Sequence, residues 1–395
     1  MPHSSLTRRD ALKTTALSTG AVLAYLSHPQ FLFADQDPAE TLVPFLDMPR
    51  ARPGMLDWET LDAWLTPQDQ VFTVSHYNVP KVDPGEYRLE ITGLVEKPRT
   101  LTLDELKARP RSDQLMTLEC SGNGSSKGFM GAVYNSRWTG TRLAPLLKEC
   151  GIKSNAIEVA FIGYDKSSET LRKGTPRELT FDVPFGRSLT VEHAVNLDPL
   201  LAYERNGEPL TQGNGSPVRL IVPGWYGIAN VKWLRRIELR DTRYVGRFMG
   251  RDYVTVRGER RGDTIEYVET SVSKMNLKSI VARITRKPAV NGKIPCKAYG
   301  AVWSDGTDIK SVEVQVDGGE WRPAALDKEP RSKFCWTFFS IDLGALPPGK
   351  HQVVSRATDV NGRVQPTAQD DEIALKKTYW EAYAQWPRDI ELTEG

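Results

Sequence analysis

Apolar residues recur at strand-like spacing through the first two thirds of the chain. In residues 86–93, EYRLEITG, apolar and polar positions alternate as they do in a half-buried β-strand. More continuous apolar runs predict further strands at residues 115–120, 156–162, 218–222 and 231–239. The run that ends at residue 162 is followed by Gly163, Tyr164 and Asp165, so we expect a turn there.

Helical patterns lie between these runs and are short. Thr102 with Glu105 three positions later has the form of a capping box, and Pro110 should stop the helix that it begins. Residues 142–150, RLAPLLKEC, predict a second helix that a glycine ends, and residues 189–195 predict a third. Strands alternating with short helices predict a mixed α+β domain.

The spacing changes near residue 279. From there, segments such as SIVARIT and HQVVSRATDV alternate regularly, and turn residues separate them. Gly318 and Gly319 are typical of a hairpin turn, and Pro347 to Gly349 mark another turn. We predict an immunoglobulin-like β-sandwich that joins the preceding domain near residues 270–276.

The first 34 residues have the pattern of an export signal rather than of a folded element. Arg8 and Arg9 precede an apolar, small-residue stretch at residues 14–26, as in twin-arginine signals. We expect cleavage near Ala34 and a periplasmic protein. Because this route carries proteins that are already folded, often around a cofactor, it favours a complex cofactor. The predicted domains are therefore residues 1–34, 35–275 and 276–395.

Net charge and hydropathy limit the kinds of partner that we expect for this protein. The 52 Lys and Arg residues against 50 Asp and Glu give a net charge of +2, so we expect no nucleic-acid binding. No stretch after the signal approaches the ~20 apolar residues of a membrane-spanning helix, so we expect no membrane span.

The cysteine and histidine positions limit the metal chemistry. An oxidising compartment permits disulfides, and Cys296 and Cys335 are candidates to pair because both lie in the strand-rich region. The sequence has no C-x-x-C motif, which argues against a zinc ribbon, a cysteine-ligated cluster and a covalent haem. Only His76, His193 and His351 follow the signal, so we do not expect a multi-histidine metal site.

The stretch TLECSGNG, residues 117–124, places a thiol where a strand meets a flexible loop. A lone cysteine such as Cys120 is usually a small core residue. A thiolate is also a good ligand for a high-valent metal, and Gly122 and Gly124 would let a bulky ligand approach it. A third interpretation is a hydrolase that uses Cys120 with His76 or His193.

Four motifs together resemble the sulfite oxidase family of molybdenum enzymes. They are TLECSGNG, SRWTGTRL (residues 136–143), GSPVRLIVPGWYGIANVKWL (residues 215–234) and GRDY (residues 250–253). The resemblance runs from Val71 to the C-terminus. It implies an α+β fold, in which a mixed α/β sulfite-oxidase-type molybdopterin-binding domain precedes an immunoglobulin-like β-sandwich dimerisation domain. It also implies molybdenum held by molybdopterin, and a homodimer.

The resemblance carries over to individual residues. Cys120 would be the metal ligand, Tyr253 the hydrogen-bond and proton partner of the metal's oxygen ligand, and Lys376 a catalytic positive charge. The implied cofactor-binding residues are Phe72, His76, Cys120, Asp165, Asn214, Arg219, Asn230, Val231 and Lys232. Without the resemblance, Asp165 would be an ordinary turn residue, Arg219 a surface charge and Tyr253 a packing residue.

The match fails at the substrate pocket. Sulfite-oxidising members place arginines where this chain has Val74 and Ser125, and a tryptophan near Gly128, beside Phe129. Because a dianion in a low-dielectric pocket needs compensating charge, we expect a substrate that is less charged or larger than sulfite. Lys127 or Lys376 would supply residual charge. Alternatively, the loop alignment is shifted, and Arg137 or Arg251 enters the pocket.

These observations predict a periplasmic molybdenum-cofactor oxidoreductase that acts on a small sulfur compound. The chain has no haem or cluster motif, so an external c-type cytochrome would accept the electrons. Sulfite oxidation, sulfane-sulfur dehydrogenation and a sulfoxide-type reduction remain alternatives for the reaction. A non-catalytic adhesin is the alternative from a different class.

Overall fold

The computed structural model describes residues 40–47, 54–61, 63–126, 129–327 and 332–394. The predicted export signal at residues 1–34 and Lys127 lie outside the described residues.

The described chain is rich in strands. In chain order they are β1 Thr41–Leu42, β2 Leu89–Gly93, β3 Arg99–Leu101, β4 Ser112–Glu119, β5 Val133–Arg142, β6 Glu158–Leu171, β7 Leu179–Thr190, β8 Leu200–Arg205, β9 Glu208–Pro209, β10 Arg219–Ile221, β11 Leu234–Arg240, β12 Val254–Arg261, β13 Thr264–Ser271, β14 Lys278–Arg286, β15 Ile294–Trp303, β16 Ile309–Val316, β17 Arg322–Pro323, β18 Ala325–Leu326, β19 Thr337–Leu346, β20 Gly349–Asp359 and β21 Arg388–Leu392.

The helices are few and short. They are α1 Leu103–Lys107, α2 Leu143–Cys150, α3 Val191–Asn196, α4 Arg247–Gly250 and α5 Asp371–Ala374, with 3-10 turns at Gln68–Gln70, Gln212–Asn214 and Gly227–Ala229. The predicted capping box of α1 is confirmed, since the Thr102 hydroxyl accepts from the Glu105 amide at 3.2 Å and a Glu105 oxygen accepts from the Thr102 amide at 2.7 Å.

Two sheets build the first domain. One has the strand order β10-β8-β5-β4, with β9 beside β8, and the other has the order β3-β2-β11-β6-β7. Strands β2 and β11 run parallel, and the other pairs of these two sheets are antiparallel. Side chains from both sheets and from α2 enter one large apolar cluster, which includes Leu146, Phe161 and Leu220. Burial of this cluster fixes the strand ends that surround the site.

The second domain is a β-sandwich, which confirms the predicted fold class. Its sheets have the orders β1-β14-β15-β19-β18 and β17-β16-β20-β21. Alternate residues from both sheets, such as Val281, Val302 and Val353, form a separate core. The sequence pattern places the lead-in with the first domain, but β1 pairs with β14 and Phe45 bridges Ile390, so residues 40–47 pack on the sandwich.

One local prediction was wrong, one hairpin was not predicted, and the candidate disulfide is not formed among the described residues. Strand β6 continues past the expected turn to Leu171, because it pairs with β7 on both sides of residues 163–165, where the register shifts between Ile162 and Lys166. Asp165 therefore lies within a strand. The hairpin of β12 and β13 was not predicted, because its polar, exposed residues have no clear apolar period. No disulfide joins Cys296 to Cys335 in the described chain, and these two buried residues lie in different apolar clusters.

None of the helices among the described residues is long and apolar enough to cross a membrane.

Candidate functional site

A cleft opens where strand ends and loops of the first domain converge, with about 650 Å³ of empty space that includes open solvent. The predicted site residues that line it are Phe72, His76, Cys120, Asp165, Asn214, Arg219, Asn230, Lys232 and Tyr253. The structure thus brings together residues that are far apart in sequence, as the separation of 177 positions between His76 and Tyr253 illustrates.

Cys120 lies just beyond the end of β4 and is partly exposed. Its amide donates to the Ala132 carbonyl at 2.9 Å, and its own carbonyl accepts from the Asn123 amide at 2.9 Å. Burial raises the pKa of the thiol, and the backbone amides of Gly122 and Asn123 act in the opposite direction. A bound metal cation would displace the thiol proton, because a coordinating thiol is deprotonated.

The two glycines beside the thiol allow close packing within the protein. Gly124 has a left-handed φ of 98°, and a side chain there would lie 2.9 Å from the Lys278 ammonium. A side chain at Gly122 would lie 3.3 Å from the Tyr379 ring. Neither glycine is among the residues that line the cleft.

Arg219 is the buried cation of the cleft. Its guanidinium donates to the Asn214 carbonyl at 3.2 Å and to the Asn230 carbonyl at 3.1 Å, and it lies over the Trp138 ring. Burial lowers its pKa, yet the group remains cationic because its ordinary pKa is far above neutrality. A buried cation that binds only neutral carbonyls has charge left for an anionic ligand.

Lys232 and Asp165 interact electrostatically in the same cleft. The Lys232 ammonium donates to the Ser75 hydroxyl and to the Gly213 carbonyl, each at 3.0 Å. Burial, with the charge of Arg219, lowers the pKa of Lys232 to about 7, and burial raises the pKa of Asp165 to about 7. Both side chains can therefore exchange protons near neutral pH.

The loop amides hold the cleft in shape. The Asn230 side chain accepts from the Val222 amide at 2.8 Å and donates to the Tyr226 carbonyl at 3.1 Å. The Asn214 side-chain amide donates to the Thr211 hydroxyl at 2.9 Å. These two asparagines orient their own carbonyls toward Arg219, so they contribute through the backbone.

His76 and Tyr253 form the aromatic wall. The Tyr253 hydroxyl and His76 Nε2 are 2.5 Å apart, and the His76 ring packs against Phe185 and Phe248. Burial and the charge of Lys232 lower the pKa of His76 to about 4, so its ring is neutral at pH 7 and shares one hydrogen bond with the Tyr253 hydroxyl. Burial also raises the pKa of Tyr253, which keeps the phenol protonated.

Three buried polar atoms around the cleft have no hydrogen-bond partner in the described chain: Ser121 Oγ, Asp165 Oδ1 and Arg219 Nε. Such orphaned groups are costly unless a ligand satisfies them. A thiol, a buried guanidinium and a set of amides and hydroxyls suit a ligand with a metal, a phosphate and a hydrogen-bonding heterocycle. The residues present therefore fit a molybdenum–pterin group.

Two predicted site residues do not line the cleft, and their assignments are corrected. The Val231 side chain is fully buried in the core, and its amide and carbonyl bind Ala229 and Leu220. The Lys376 ammonium donates to the carbonyls of Trp380 and Glu381 at 2.8 and 2.9 Å. It thus folds the C-terminal segment and is not a charge that faces the ligand.

The two positions where sulfite oxidisers have arginines hold neutral residues in this chain. Val74 lines the cleft and is 39% exposed, whereas Ser125 is exposed on the cysteine loop and does not line it. A shifted alignment would bring Arg137 or Arg251 into the pocket. Arg251 pairs with Glu169, however, and Arg137 is not among the residues that line the cleft. The shifted alignment therefore finds no support in the geometry of these residues.

Sequence reasoning missed several lining residues. Thr73 and Ser75 lie between Phe72 and His76, which were both predicted cofactor contacts, so this position was a signal that could have found them. Tyr134 and Phe185 come from β5 and β7, and their apolar character made them indistinguishable from core residues.

The histidines of the described chain do not activate the thiol. His76 binds Tyr253, and His193 binds Thr190. The cysteine–histidine pair that the hydrolase interpretation requires is therefore not formed at Cys120 in the described residues.

Comparison with known proteins identifies the class. Residues 76–248 match the family described as "Oxidoreductase molybdopterin binding domain", and residues 269–381 match the "Mo-co oxidoreductase dimerisation domain". The sulfite oxidase of Gallus gallus is 31% identical over 327 residues, which cover 77% of this chain and 69% of that protein. The chain therefore belongs to the sulfite oxidase family.

Other relatives extend the comparison. The mitochondrial sulfite oxidase of Homo sapiens is 31% identical over 326 residues, and the chain, matched over 77% of its own length, spans only 57% of that protein. The solved sulfane dehydrogenase SoxCD from Paracoccus pantotrophus has 25% identity and a TM-score of 0.70, with 94% of this chain and 92% of that chain covered. The predicted family, fold class and cofactor are confirmed. Membership of this family of molybdopterin-binding oxidoreductases counts against the hydrolase and adhesin alternatives.

Proposed function

We propose that this protein is a periplasmic oxidoreductase that oxidises a sulfur compound with less charge than sulfite. One observation carries the proposal: a single cleft joins the Cys120 thiol to the Tyr253 phenol and the buried Arg219, while the neutral Val74 lies where sulfite oxidisers have an arginine. The sulfane dehydrogenase found among solved structures supports this direction. Sulfite itself is the second candidate, because sulfite oxidases are among the relatives at about 31% identity.

Each residue has a part in this proposal. Arg219, with Lys232 beside it, would hold the anionic end of the cofactor, and Cys120 would ligate the metal. When bound, the molybdenum–pterin group supplies two-electron oxygen-atom transfer to sulfur. Tyr253 keeps a proton at its hydroxyl, which is in hydrogen-bond contact with the neutral His76 ring. These residues would bind, orient and handle protons for a group that performs the electron chemistry.

The substrate range can be tested directly. Metal analysis of the purified protein, followed by steady-state assays with sulfite, thiosulfate and sulfoxides and an artificial acceptor, defines the activity. We expect low efficiency with sulfite, and we expect Val74→Arg to raise it. A charge-assisted hydrogen bond contributes about 1.5–3 kcal/mol, so this arginine would raise the efficiency by roughly 10- to 10²-fold.

A matched control adds the same charge elsewhere. Val79 is exposed and is not among the residues that line the cleft, so Val79→Arg should leave the sulfite efficiency unchanged. Efficient oxidation of sulfite by the unmodified protein, with a low KM, would return sulfite to first place. Absence of molybdenum from the protein would remove the proposal as a whole.

The cellular setting forms a further part of the proposal. The arginine pair at Arg8 and Arg9 would direct the folded protein through the twin-arginine route, and a c-type cytochrome would take the electrons. Replacing both arginines with lysine should retain the protein in the cytoplasm, as cell fractionation would reveal. Normal periplasmic accumulation of that variant would contradict the assignment.

A further inference from the structure

A lysine of the sandwich domain reaches into the loop that carries the thiol. Lys278 is the first residue of β14 and is 1% exposed. Its ammonium donates to Glu119 Oε1 at 2.8 Å, to the Asn123 carbonyl at 2.7 Å and to the Ala382 carbonyl at 2.8 Å. All three ammonium protons therefore have acceptors, on three separate parts of the chain.

Glu119 immediately precedes Cys120 and is equally well held. Its second oxygen accepts from the Trp303 indole at 2.9 Å, and the first also accepts from the Asn123 side chain at 3.0 Å. The Asn123 side-chain oxygen in turn accepts from the Ala132 amide at 3.0 Å. The residue before the thiol and the residue three positions after it are thus fixed to the same ammonium. We call Lys278, Glu119, Asn123, Trp303 and the Ala382 carbonyl the Lys278 clamp.

The energetic cost of the clamp points to a purpose other than stability. Both side chains of the Lys278–Glu119 pair are 1–2% exposed, so two charges have been taken out of water. Replacing such a buried pair with neutral residues of similar volume is often neutral or stabilising. What neutral residues cannot reproduce is three directed hydrogen bonds from one point, which fix the loop beside Cys120 in a single geometry.

We propose that Lys278 is a positioning residue that holds the Cys120 thiol against the metal and ties its placement to the sandwich domain. The inference rests on the proposed role of Cys120 as metal ligand. Because Lys278, Trp303 and Ala382 all come from beyond residue 276, the second domain holds the thiol loop in addition to the hydrogen bonds with Ala132 of its own domain. A shift of β14 relative to the cleft therefore moves the thiol.

The test uses two variants of the molybdenum-loaded protein. Lys278→Met leaves Glu119 buried without its cation and is expected to fold poorly. The double variant Glu119→Gln with Lys278→Met removes both charges at nearly constant volume and should fold. We expect the double variant to retain molybdenum, to show an altered thiolate-to-metal band in visible circular dichroism, and to lose roughly ten- to a hundredfold in kcat with KM within about twofold.

A second buried pair provides the matched control. Arg388 and Asp47 in the sandwich have fully buried side chains that lie 3.2 Å apart, and Arg388 also donates to the Val281 carbonyl. Arg388→Met with Asp47→Asn should change the unfolding temperature but leave the visible spectrum and kcat per bound metal unchanged.

Different results would contradict the positioning role of Lys278 and the ligand role of Cys120. A double variant of the Lys278 clamp with the wild-type spectrum and kcat would overturn the positioning role and leave Cys120 as ligand untouched. A wild-type protein that holds molybdenum but has no thiolate-to-metal band would overturn the ligand assignment and the positioning role together.

Discussion

Tyr253 combines an unusual backbone with a functional side chain. Its φ of 58° is in the left-handed region, which a bulky residue occupies only at some cost in free energy. The Val272 amide donates to the Tyr253 carbonyl at 2.9 Å, and the Trp380 ring stacks on the phenol at 4.0 Å. The surrounding packing thus holds Tyr253 in the one conformation that brings its hydroxyl to His76.

Removing that hydroxyl should affect the reaction more than the fold. Tyr253→Phe keeps the ring stack but loses the hydroxyl proton that lies beside the His76 ring, so we expect kcat to fall roughly 10²-fold or more. Steady-state kinetics with normalisation to bound molybdenum would measure this loss. Tyr267→Phe, on the exposed face of β13, is the matched control and should have the wild-type kcat. Equal kcat in the two variants would rule out a proton role for Tyr253.

The thiol makes a second prediction at the residue scale. Cys120→Ser has nearly the same volume but removes the sulfur ligand, so activity should fall at least roughly 10²-fold while the pterin stays bound by Arg219 and the loop. Molybdenum and pterin content, measured together with activity, would separate these effects. Cys150→Ser, in the apolar core at the end of α2, should cost stability but preserve activity per folded molecule. A Cys120→Ser variant at the wild-type rate would show that another group holds the metal.

At the scale of elements, the start of β20 contains a buried histidine that pairs with an aspartate. His351 Nδ1 lies 2.7 Å from Asp317 Oδ2, and Nε2 lies 2.8 Å from the Pro347 carbonyl oxygen. Burial opposes the charged ring, but the bonds to Asp317 and Pro347 outweigh it and raise the pKa of His351 above its ordinary value of about 6.5. Both ring nitrogens face hydrogen-bond acceptors, so the folded protein stabilises the doubly protonated form of the His351 ring.

This arrangement sets the pH dependence of the sandwich. A group whose pKa is raised by folding stabilises the folded state fully at pH values below its pKa in the unfolded chain, which is about 6.5 for histidine. That contribution is lost as the pH rises through its pKa in the folded protein. Burial opposes the charged form of Asp317, but the hydrogen bonds from His351 and the Gln352 amide outweigh burial and lower the pKa of Asp317. The His351–Asp317 pair therefore also weakens in acid, where Asp317 becomes protonated. We expect His351→Gln to cost about 1 kcal/mol near pH ~5.5 and less above pH ~8.

Denaturant unfolding of the wild type and the variant across this pH range would measure the difference in the free energy of unfolding. The matched control is Gln352→Ala, which changes an exposed side chain of the same strand. Its effect should not vary with pH in this way, because the substitution leaves both ring nitrogens of His351 with their acceptors. A cost of His351→Gln that is constant from about pH 5 to pH 9 would exclude the protonated ring as the stabilising form.

At the scale of the whole molecule, the match of residues 269–381 to a dimerisation domain motivates a prediction of assembly. We expect a two-fold homodimer built through the sandwich. Light scattering at micromolar concentration should give twice the mass of one chain, and dilution should locate any dissociation. A single-chain mass across the whole range would contradict the prediction.

The sequence by itself determined the elements whose signals are local. Strand alternation in residues 86–93, the Thr102 capping box and the glycine after α2 each depend on neighbours a few residues away, because burial on one face imposes a fixed period. The motif positions Cys120 and Arg219 were likewise found from short local patterns, and both line the cleft in the structure.

Tertiary structure alone decided the contacts between distant segments. Whether Val231 faces the cleft or the core, and whether Lys376 faces the ligand or a carbonyl, depends on how separate strands pack. Strand β6 extends past Asp165 because β7 pairs with it on both sides of that residue. Lys278 carried no local signal, since its partner Glu119 lies 159 positions away. A sequence pattern records the burial of each residue, whereas a contact between distant residues is defined only once both are placed by the folded core.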